Sequence, residues 1–235
     1  MVKFMRTWLK LSKVGWLALL WLVFGLFLSS GAFAAYVSYT PPATVGNQNW
    51  AGTLGMGFDT ISNIYVTSLG VFDSGQDGIH AGTTLHAAIF DRDTNAMVVS
   101  TIDFTAESPG SLLGSSLFKV IAGGPVLLPA GHHYTIAAWG FTANDKNGNI
   151  FYCDPTETNP VIFNSGGGLI SEGVATYSLE NAPGAYPGQP PAAFYKPGQY
   201  WAGTFEYVPL PATVLLLGSG LVGLLAWRRR KVTKS

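Results

Sequence analysis

Residues Thr84–Phe104, with the sequence TLHAAIFDRDTNAMVVSTIDF, contain two runs that have the periodicity of β-strands. The first run, Thr84–Asp91, alternates apolar and other residues with period two, which predicts a β-strand with Leu85, Ala87 and Ile89 on one face. A second run, Met97–Phe104, predicts a strand with two faces: Val98, Ser100, Ile102 and Phe104 on one, and Val99, Thr101 and Asp103 on the other. The turn-forming residues Asp91–Asn95 lie between the two runs and predict a hairpin.

Similar β-branched and aromatic runs recur along the middle of the chain. They are Asn63–Phe72, Ser115–Ile121, His133–Phe141, Ile150–Cys153, Val161–Asn164, Ala175–Leu179 and Tyr200–Val208. Glycine- and proline-rich segments separate them, and the longest, Asn181–Gln199, is expected to be a surface loop. Short strands divided by turns are typical of a β-sandwich or jelly roll. We therefore expect one all-β domain over residues 35–207, with Ile89, Ile102, Phe104, Tyr134 and Ile136 in its core.

Charge is scarce and segregated. Only 11% of residues are charged, against about 25% in an average soluble domain. Residues 1–34 and 209–235 contain cations and no acids, so residues 35–208 hold all 13 acids and only Arg92, Lys119, Lys146 and Lys196 as cations. An acidic middle argues against nucleic-acid binding, which requires cations to neutralise phosphates.

The N-terminal segment has the order of a secretory signal peptide. Lys3, Arg6, Lys10 and Lys13 precede the uncharged apolar run Val14–Leu28, and small residues follow up to Ala32-Phe33-Ala34. This order predicts a signal peptide over residues 1–34, with Ala32 and Ala34 marking cleavage after Ala34. An uncleaved anchor helix is the alternative.

The C-terminal segment has the order of a membrane span with a stop. Leu210–Trp227 is uncharged and would form a helix of about 27 Å, close to the thickness of the hydrocarbon core. The cluster Arg228, Arg229, Arg230 and Lys231 would stop transfer and hold that end in the cytoplasm. With a cleaved signal peptide, this topology places the middle domain outside the inner membrane.

Residues 208–235 also resemble a PEP-CTERM sorting tail, which joins a short Pro-x-Pro motif, a membrane helix and a terminal arginine cluster. The motif here is Val208, Pro209, Leu210 and Pro211, with leucine where the eponymous Pro-Glu-Pro has glutamate. The resemblance implies export in a Gram-negative bacterium and processing by an exosortase, a membrane-embedded cysteine enzyme. It also implies association with exopolysaccharide or a biofilm matrix. An ordinary single-span anchor is the alternative.

The middle is similar to an uncharacterised β-sandwich ectodomain that often precedes such tails. The similarity is carried by Leu69–Asp73, by His86–Asp91 and by Leu128–Gly131 with Tyr134 and Ile136. It implies fold and location, and it brings no catalytic residues.

Three segments have the alternating oxygen ligands of a calcium loop. They are Asp73-x-Gly75-x-Asp77, Asp91-x-Asp93-x-Asn95 and Asp145-x-Asn147-x-Asn149. None completes the calcium-loop pattern with its glycine and distant glutamate, and aspartate and asparagine also favour ordinary turns. We expect turns and no resident cofactor, with Asp73, Asp77, Asp91 and Asp93 as weak calcium candidates.

Other chemistry-bearing residues give no catalytic pattern. His132 and His133 adjoin the Gly131 turn and would point to opposite faces if they lie in a strand, so they are not expected to face one metal. His80 and His86 are six residues apart, whereas zinc sites mostly use short-spaced pairs. Cys153 is the single cysteine and cannot form an internal disulfide. The acids do not single out a pair for glycan hydrolysis, and no nucleophile elbow occurs. The chain is expected to be non-enzymatic.

Aromatic residues accumulate in and beside the proline-rich loop: Tyr186, Phe194, Tyr195, Tyr200 and Trp201. They either close the core or offer faces for sugar rings. The leading hypothesis is thus an exported surface protein of the cell envelope or extracellular matrix. A carbohydrate-binding module, with or without calcium, and a secreted glycan hydrolase are the alternatives.

Overall fold

A computed structural model describes residues 34–150, 161–189 and 198–210, and these residues belong to one compact unit, Ala34–Leu210. Its regular elements are strands, which agrees with the all-β expectation. No helix within these residues is long and apolar enough to cross a membrane. The signal peptide with Ala32, the tail from Pro211 onward and the cluster Arg228–Lys231 lie outside the described residues.

Fifteen strands follow one another along this unit. They are β1 (Tyr36–Val37), β2 (Tyr39–Thr40), β3 (Leu54–Thr60), β4 (Ile64–Phe72), β5 (Thr84–Asp91), β6 (Met97–Thr105), β7 (Ser111–Leu113), β8 (Ser116–Val120), β9 (Val126–Leu128), β10 (His133–Trp139), β11 (Gly148–Asn149), β12 (Ile162–Phe163), β13 (Ile170–Tyr177), β14 (Tyr200–Trp201) and β15 (Gly203–Pro209).

Two larger sheets contain most of these strands. One has the order β1-β15-β4-β8-β7, with β9 also pairing with β4, and the other has the order β13-β3-β10-β5-β6. The short pairs β11–β14 and β2–β12 complete the pairing. Neighbouring strands are antiparallel, so the topology is that of hairpins and longer returns and not of parallel crossovers.

The predicted hairpin is confirmed as β5–β6. The Oδ1 atom of Asp91 accepts N–H bonds from Asp93 (2.8 Å) and Thr94 (2.9 Å), which closes the turn. Asn95 completes it with a φ of 60°, a left-handed conformation that asparagine tolerates better than most residues.

One expected alternation in β6 is wrong. Ala87 lies opposite Ile102 but Ile89 lies opposite Val99, so the register shifts within the β5–β6 pair. A bulge of this kind turns a residue to the other face of the sheet. Val99 is consequently buried at 1% exposure, whereas Ile102 is only half-buried beside the core. The expectation of a core position is confirmed for Ile89, Phe104, Tyr134 and Ile136.

The core lies between the two larger sheets and is rich in aromatic residues. Phe58 of β3 and Phe205 of β15 come from different sheets, and their ring centroids are 4.5 Å apart. Both side chains are fully buried, and each contributes about 1.5–3 kcal/mol to the hydrophobic free energy of folding. The hydroxyl group of Tyr39 in β2 donates to the carbonyl of Gly57 in β3, adding a buried polar link.

Two of the predicted runs have clearly different bounds in the structure, and one long strand was not predicted. The run Tyr200–Val208 is interrupted at Ala202 and forms β14 and β15, and β13 begins at Ile170, ahead of the predicted Ala175. Strand β3 has no counterpart among the predicted runs. The predicted run Ile150–Cys153 lies outside the described residues except for Ile150.

Candidate functional site

The first residues of the sorting segment belong to the folded domain. Val208 and Pro209 are the last residues of β15 and lie opposite Tyr65 and Ile64 of β4. The N–H group of Leu210 then donates to the carbonyl of Asn63 at 3.3 Å. Pro209 stands at the end of its strand, where a missing N–H group disturbs a sheet least. The sorting motif therefore starts inside the sheet.

The same end of the domain contains the turn of Asp91 and the start of β10. Strand β3 ends at Thr60, shortly before β4 begins at Ile64. Because Ile64 lies opposite Pro209, the last residue of β15, the strands β3 and β15 end at the same end of the domain. The Oγ1 atom of Thr60 donates to the carbonyl of Pro129 at 2.6 Å, which ties the loop before β10 to this edge. His133, the first residue of β10, lies opposite Asp59.

Asp91, Asp93 and His132 form a cluster of metal-ligating groups at this end. One ligand atom from each residue lies within 4.8 Å of the other two, and among the described residues this is the one such group of three. Asp91 is half-buried, and Asp93 and His132 are exposed. The structure thus joins the second predicted calcium loop to the histidine pair.

The carboxyl group of Asp91 is held in its ionised form. Burial acts to raise the pKa of Asp91. Several groups lower it by a larger amount: the backbone and side chain of Thr94, the N–H of Asp93, and the nearby His132. The net effect is a pKa below the ordinary value of 3.8. Hydrogen bonds and positive charge favour a carboxylate over its protonated form, which suits Asp91 to bind a cation.

The two histidines of the pair are placed differently, but not as alternating strand residues: His132 precedes β10, and both side chains lie near Asp93. His132 belongs to the cluster, whereas the Nδ1 atom of His133 lies 3.1 Å from the Oδ1 atom of Asp93. In the sequence, the pair and the Asp91 loop are separate features. Their proximity depends on β10 pairing with β5, where Tyr134 lies opposite Asp91.

The opposite end of the sheets contains the other two predicted calcium loops. Asp73 and Asp145 are almost fully buried, at 2% and 4% exposure. Burial raises the pKa of Asp73, and the negative charges of Asp77 and Asp145 raise it further, against N–H bonds from Gly78 and Asp77. The Oδ1 atom of Asp145 accepts the N–H of His80 at 3.1 Å. The weak calcium candidates Asp73 and Asp77 are therefore close to Asp145, but they are not part of the metal-ligating group.

The aromatic residues that the structure describes mainly close the core. Tyr200 and Trp201 are buried, and Trp139 is buried beneath the ring of His86 with centroids 5.1 Å apart. Tyr186 is half-buried against Phe90. Phe194, Tyr195 and Cys153 lie outside the described residues.

Comparison with known families identifies the tail. Residues 208–231 match the PEP-CTERM protein-sorting motif. The chain is therefore an exported protein of the class that exosortase-type systems process, associated with a membrane before it is sorted to the cell surface. No curated protein matches the chain.

Proposed function

We propose that this chain is a non-enzymatic surface protein of a Gram-negative cell envelope or extracellular matrix, associated with exopolysaccharide, whose β domain is the displayed part. The observation that carries the proposal is the overlap of the matched sorting motif, residues 208–231, with strand β15. Val208 and Pro209, the first residues of the matched motif, are paired within the sheet of the domain. Processing at this motif consequently acts at the end of the folded domain.

The hydrogen bonds of the domain support a structural role for three of its acids. Asp91 closes a hairpin turn, Asp73 accepts the N–H of Gly78, and Asp145 accepts the N–H of His80. Each of these carboxylates fixes a loop between strands. A displayed domain requires such rigid loops, because its surface must persist outside the cell.

The test follows both ends of the chain with two epitopes. One epitope is inserted between Gly123 and Gly124, in a turn where an added Cβ would contact nothing within 4 Å, and the other follows Lys234. Cells with an active exosortase-type enzyme are compared with isogenic cells without it, and inner-membrane, surface and matrix fractions are separated. The first epitope is expected in the matrix fraction without the second, and only in cells that contain the enzyme.

Two results would contradict the proposal. Both epitopes on one full-sized inner-membrane species, in cells with the active enzyme, would contradict sorting. Retention of the first epitope in the matrix after complete enzymatic digestion of the exopolysaccharide would contradict association with that polymer.

A further inference from the structure

We propose that Asp91, Asp93 and His132 bind one divalent transition-metal ion, of which Zn²⁺ is the reference case. The ligand atoms of the three residues already lie within 4.8 Å of one another. Zinc binds carboxylate oxygen and imidazole nitrogen at about 2.0–2.2 Å, so two ligands of one ion are at most about 4 Å apart. A shift of about 1 Å by exposed side chains closes the site.

Asp91 is the rigid part of this site. Its Oδ1 atom accepts the N–H groups of Asp93 and Thr94, and the side chain of Thr94 also bonds the carboxylate, which fixes the carboxylate plane. Asp91 is also the one residue of the three that is half-buried, so its side chain has the least freedom to move.

His132 comes from a different part of the chain and is anchored independently. Thr60 holds its backbone on both sides: the Oγ1 atom of Thr60 accepts the N–H of His132 at 3.2 Å, and the N–H of Thr60 donates to the carbonyl of His132 at 3.0 Å. The ring lies alongside Tyr134 with an interplanar angle of 27°. An imidazole so placed beside two carboxylates is a preorganised nitrogen ligand.

The nitrogen ligand selects the class of metal. Calcium and magnesium take oxygen ligands almost exclusively, whereas imidazole favours zinc, copper and nickel. A set of two carboxylates and one imidazole therefore fits a transition metal better than the calcium ion that the sequence of the loop suggested. With Asp93 and His132 exposed, water can supply the fourth ligand, as in open zinc sites.

The nearest arginine does not pair with the cluster, whereas a second histidine contacts one of its carboxylates. Arg92, the nearest cation in sequence, forms its ion pair with Asp59 at 3.1 Å and not with Asp91 or Asp93. His133 contacts Asp93 through Nδ1 and orients that carboxylate. Hydrogen bonding to a ligand from a second residue is the usual arrangement around bound metals.

The experiment uses the full-length chain in detergent, without a polyhistidine tag and with Cys153→Ser in every sample so that the thiol does not compete. The protein is stripped with a chelator and dialysed, and Zn²⁺ is titrated at pH 7.5 in competition with a chromophoric chelator. Asp91→Asn and His132→Gln are compared with the matched control His86→Gln. His86 also contacts an aspartate, Asp103, at 2.7 Å, but it lies outside the cluster. Near-UV circular dichroism verifies that each variant retains the native fold.

The unmodified site is expected to bind one Zn²⁺ per chain, with excess Ca²⁺ failing to displace it. Asp91→Asn and His132→Gln should each weaken binding at least about tenfold, and His86→Gln should leave it unchanged. The proposal is overturned if no stoichiometric Zn²⁺ binds, if His132→Gln binds as tightly as the unmodified site, or if His86→Gln weakens binding equally. Should His132→Gln fail to fold, Asp93→Asn provides the same comparison. This result is independent of where the protein is sorted.

Discussion

Pro209, the first proline of the sorting motif, lies opposite Ile64 in the β15–β4 pair. Ile64 is fully buried in the core, and the residue before it, Asn63, accepts the N–H of Leu210. The motif is thus bound to the strand that forms the middle of one sheet. Unpairing its first residues would expose part of the core, so we expect the fold of the domain to influence where the tail is cut.

The mature chain is expected to end at or after Leu210. Cleavage before Val208 would have to withdraw Val208 and Pro209 from their positions opposite Tyr65 and Ile64, whereas a bond beyond Leu210 leaves the sheet intact. Intact-mass measurement of the protein recovered from the surface of its host determines the terminus. A mature form that ends before Leu210 contradicts this prediction.

A linker should accelerate processing if the sheet hinders access to the motif. Insertion of Gly-Ser-Gly-Ser between Leu210 and Pro211 moves the later part of the motif away from β4 while preserving the pairs of Val208 and Pro209. The matched control places the same insertion between Gly123 and Gly124, in an open turn. Pulse-chase labelling measures both rates, and equal acceleration by the two insertions would argue against hindrance by the sheet.

Gly140→Ala is expected to destabilise the domain more than Gly131→Ala. Both glycines have positive φ, 93° and 79°, so both substitutions incur the same backbone strain of about 1–2 kcal/mol. A Cβ at Gly140 would lie 2.2 Å from the carbonyl oxygen of Thr84, whereas one at Gly131 meets nothing within 4 Å. Overpacking of this kind adds about 1–3 kcal/mol. Urea unfolding of the two variants gives the difference, and equal losses would show that the Thr84 contact relaxes without cost.

The strands with regular alternation were predictable from the sequence. Strand β5 has the predicted bounds, and β4, β6, β8 and β10 lie within two residues of theirs, because their apolar residues repeat with the period of a sheet. Strand β3 was missed because Gly55 and Gly57 are poor strand formers in isolation. Their small size is required by neighbours instead: a Cβ at Gly55 would lie 2.5 Å from Cγ2 of Thr135, and one at Gly57 would lie 2.7 Å from the carbonyl oxygen of Val174.

The metal-ligating cluster was only half visible in the sequence. The spacing of Asp91 and Asp93 indicated oxygen ligands, and His132 was noted beside the Gly131 turn. Strand β10 pairs with both β3 and β5, although it lies far from both of them in the sequence. This pairing brings His132 close to Asp91 and Asp93. Local patterns carry no information about such register, so a nitrogen ligand for this loop could not be inferred before the sheet was known.

Asp73→Asn is expected to stabilise the domain at neutral pH. Burial, together with the negative charges of Asp77 and Asp145, raises the pKa of Asp73 above its ordinary value of 3.8. The native state therefore binds this proton more readily than the unfolded state. The stabilising contribution of the group is complete below pH 3.8 and is lost as the pH rises through the native pKa. Asparagine resembles the protonated form and can still accept the N–H of Gly78, so its advantage should appear as the pH rises and disappear in acid.

Urea unfolding at a series of pH values from 3 to 7, in buffer containing a chelator, measures this difference. Glu107→Gln removes an exposed acid and serves as the control for the change in net charge, with an expected effect close to zero at every pH. An Asp73→Asn domain that is less stable than the unmodified one at pH 7 would contradict this prediction. In that case the bonds from Gly78 and Asp77 would stabilise the ionised carboxylate more strongly than burial and the charges of Asp77 and Asp145 destabilise it.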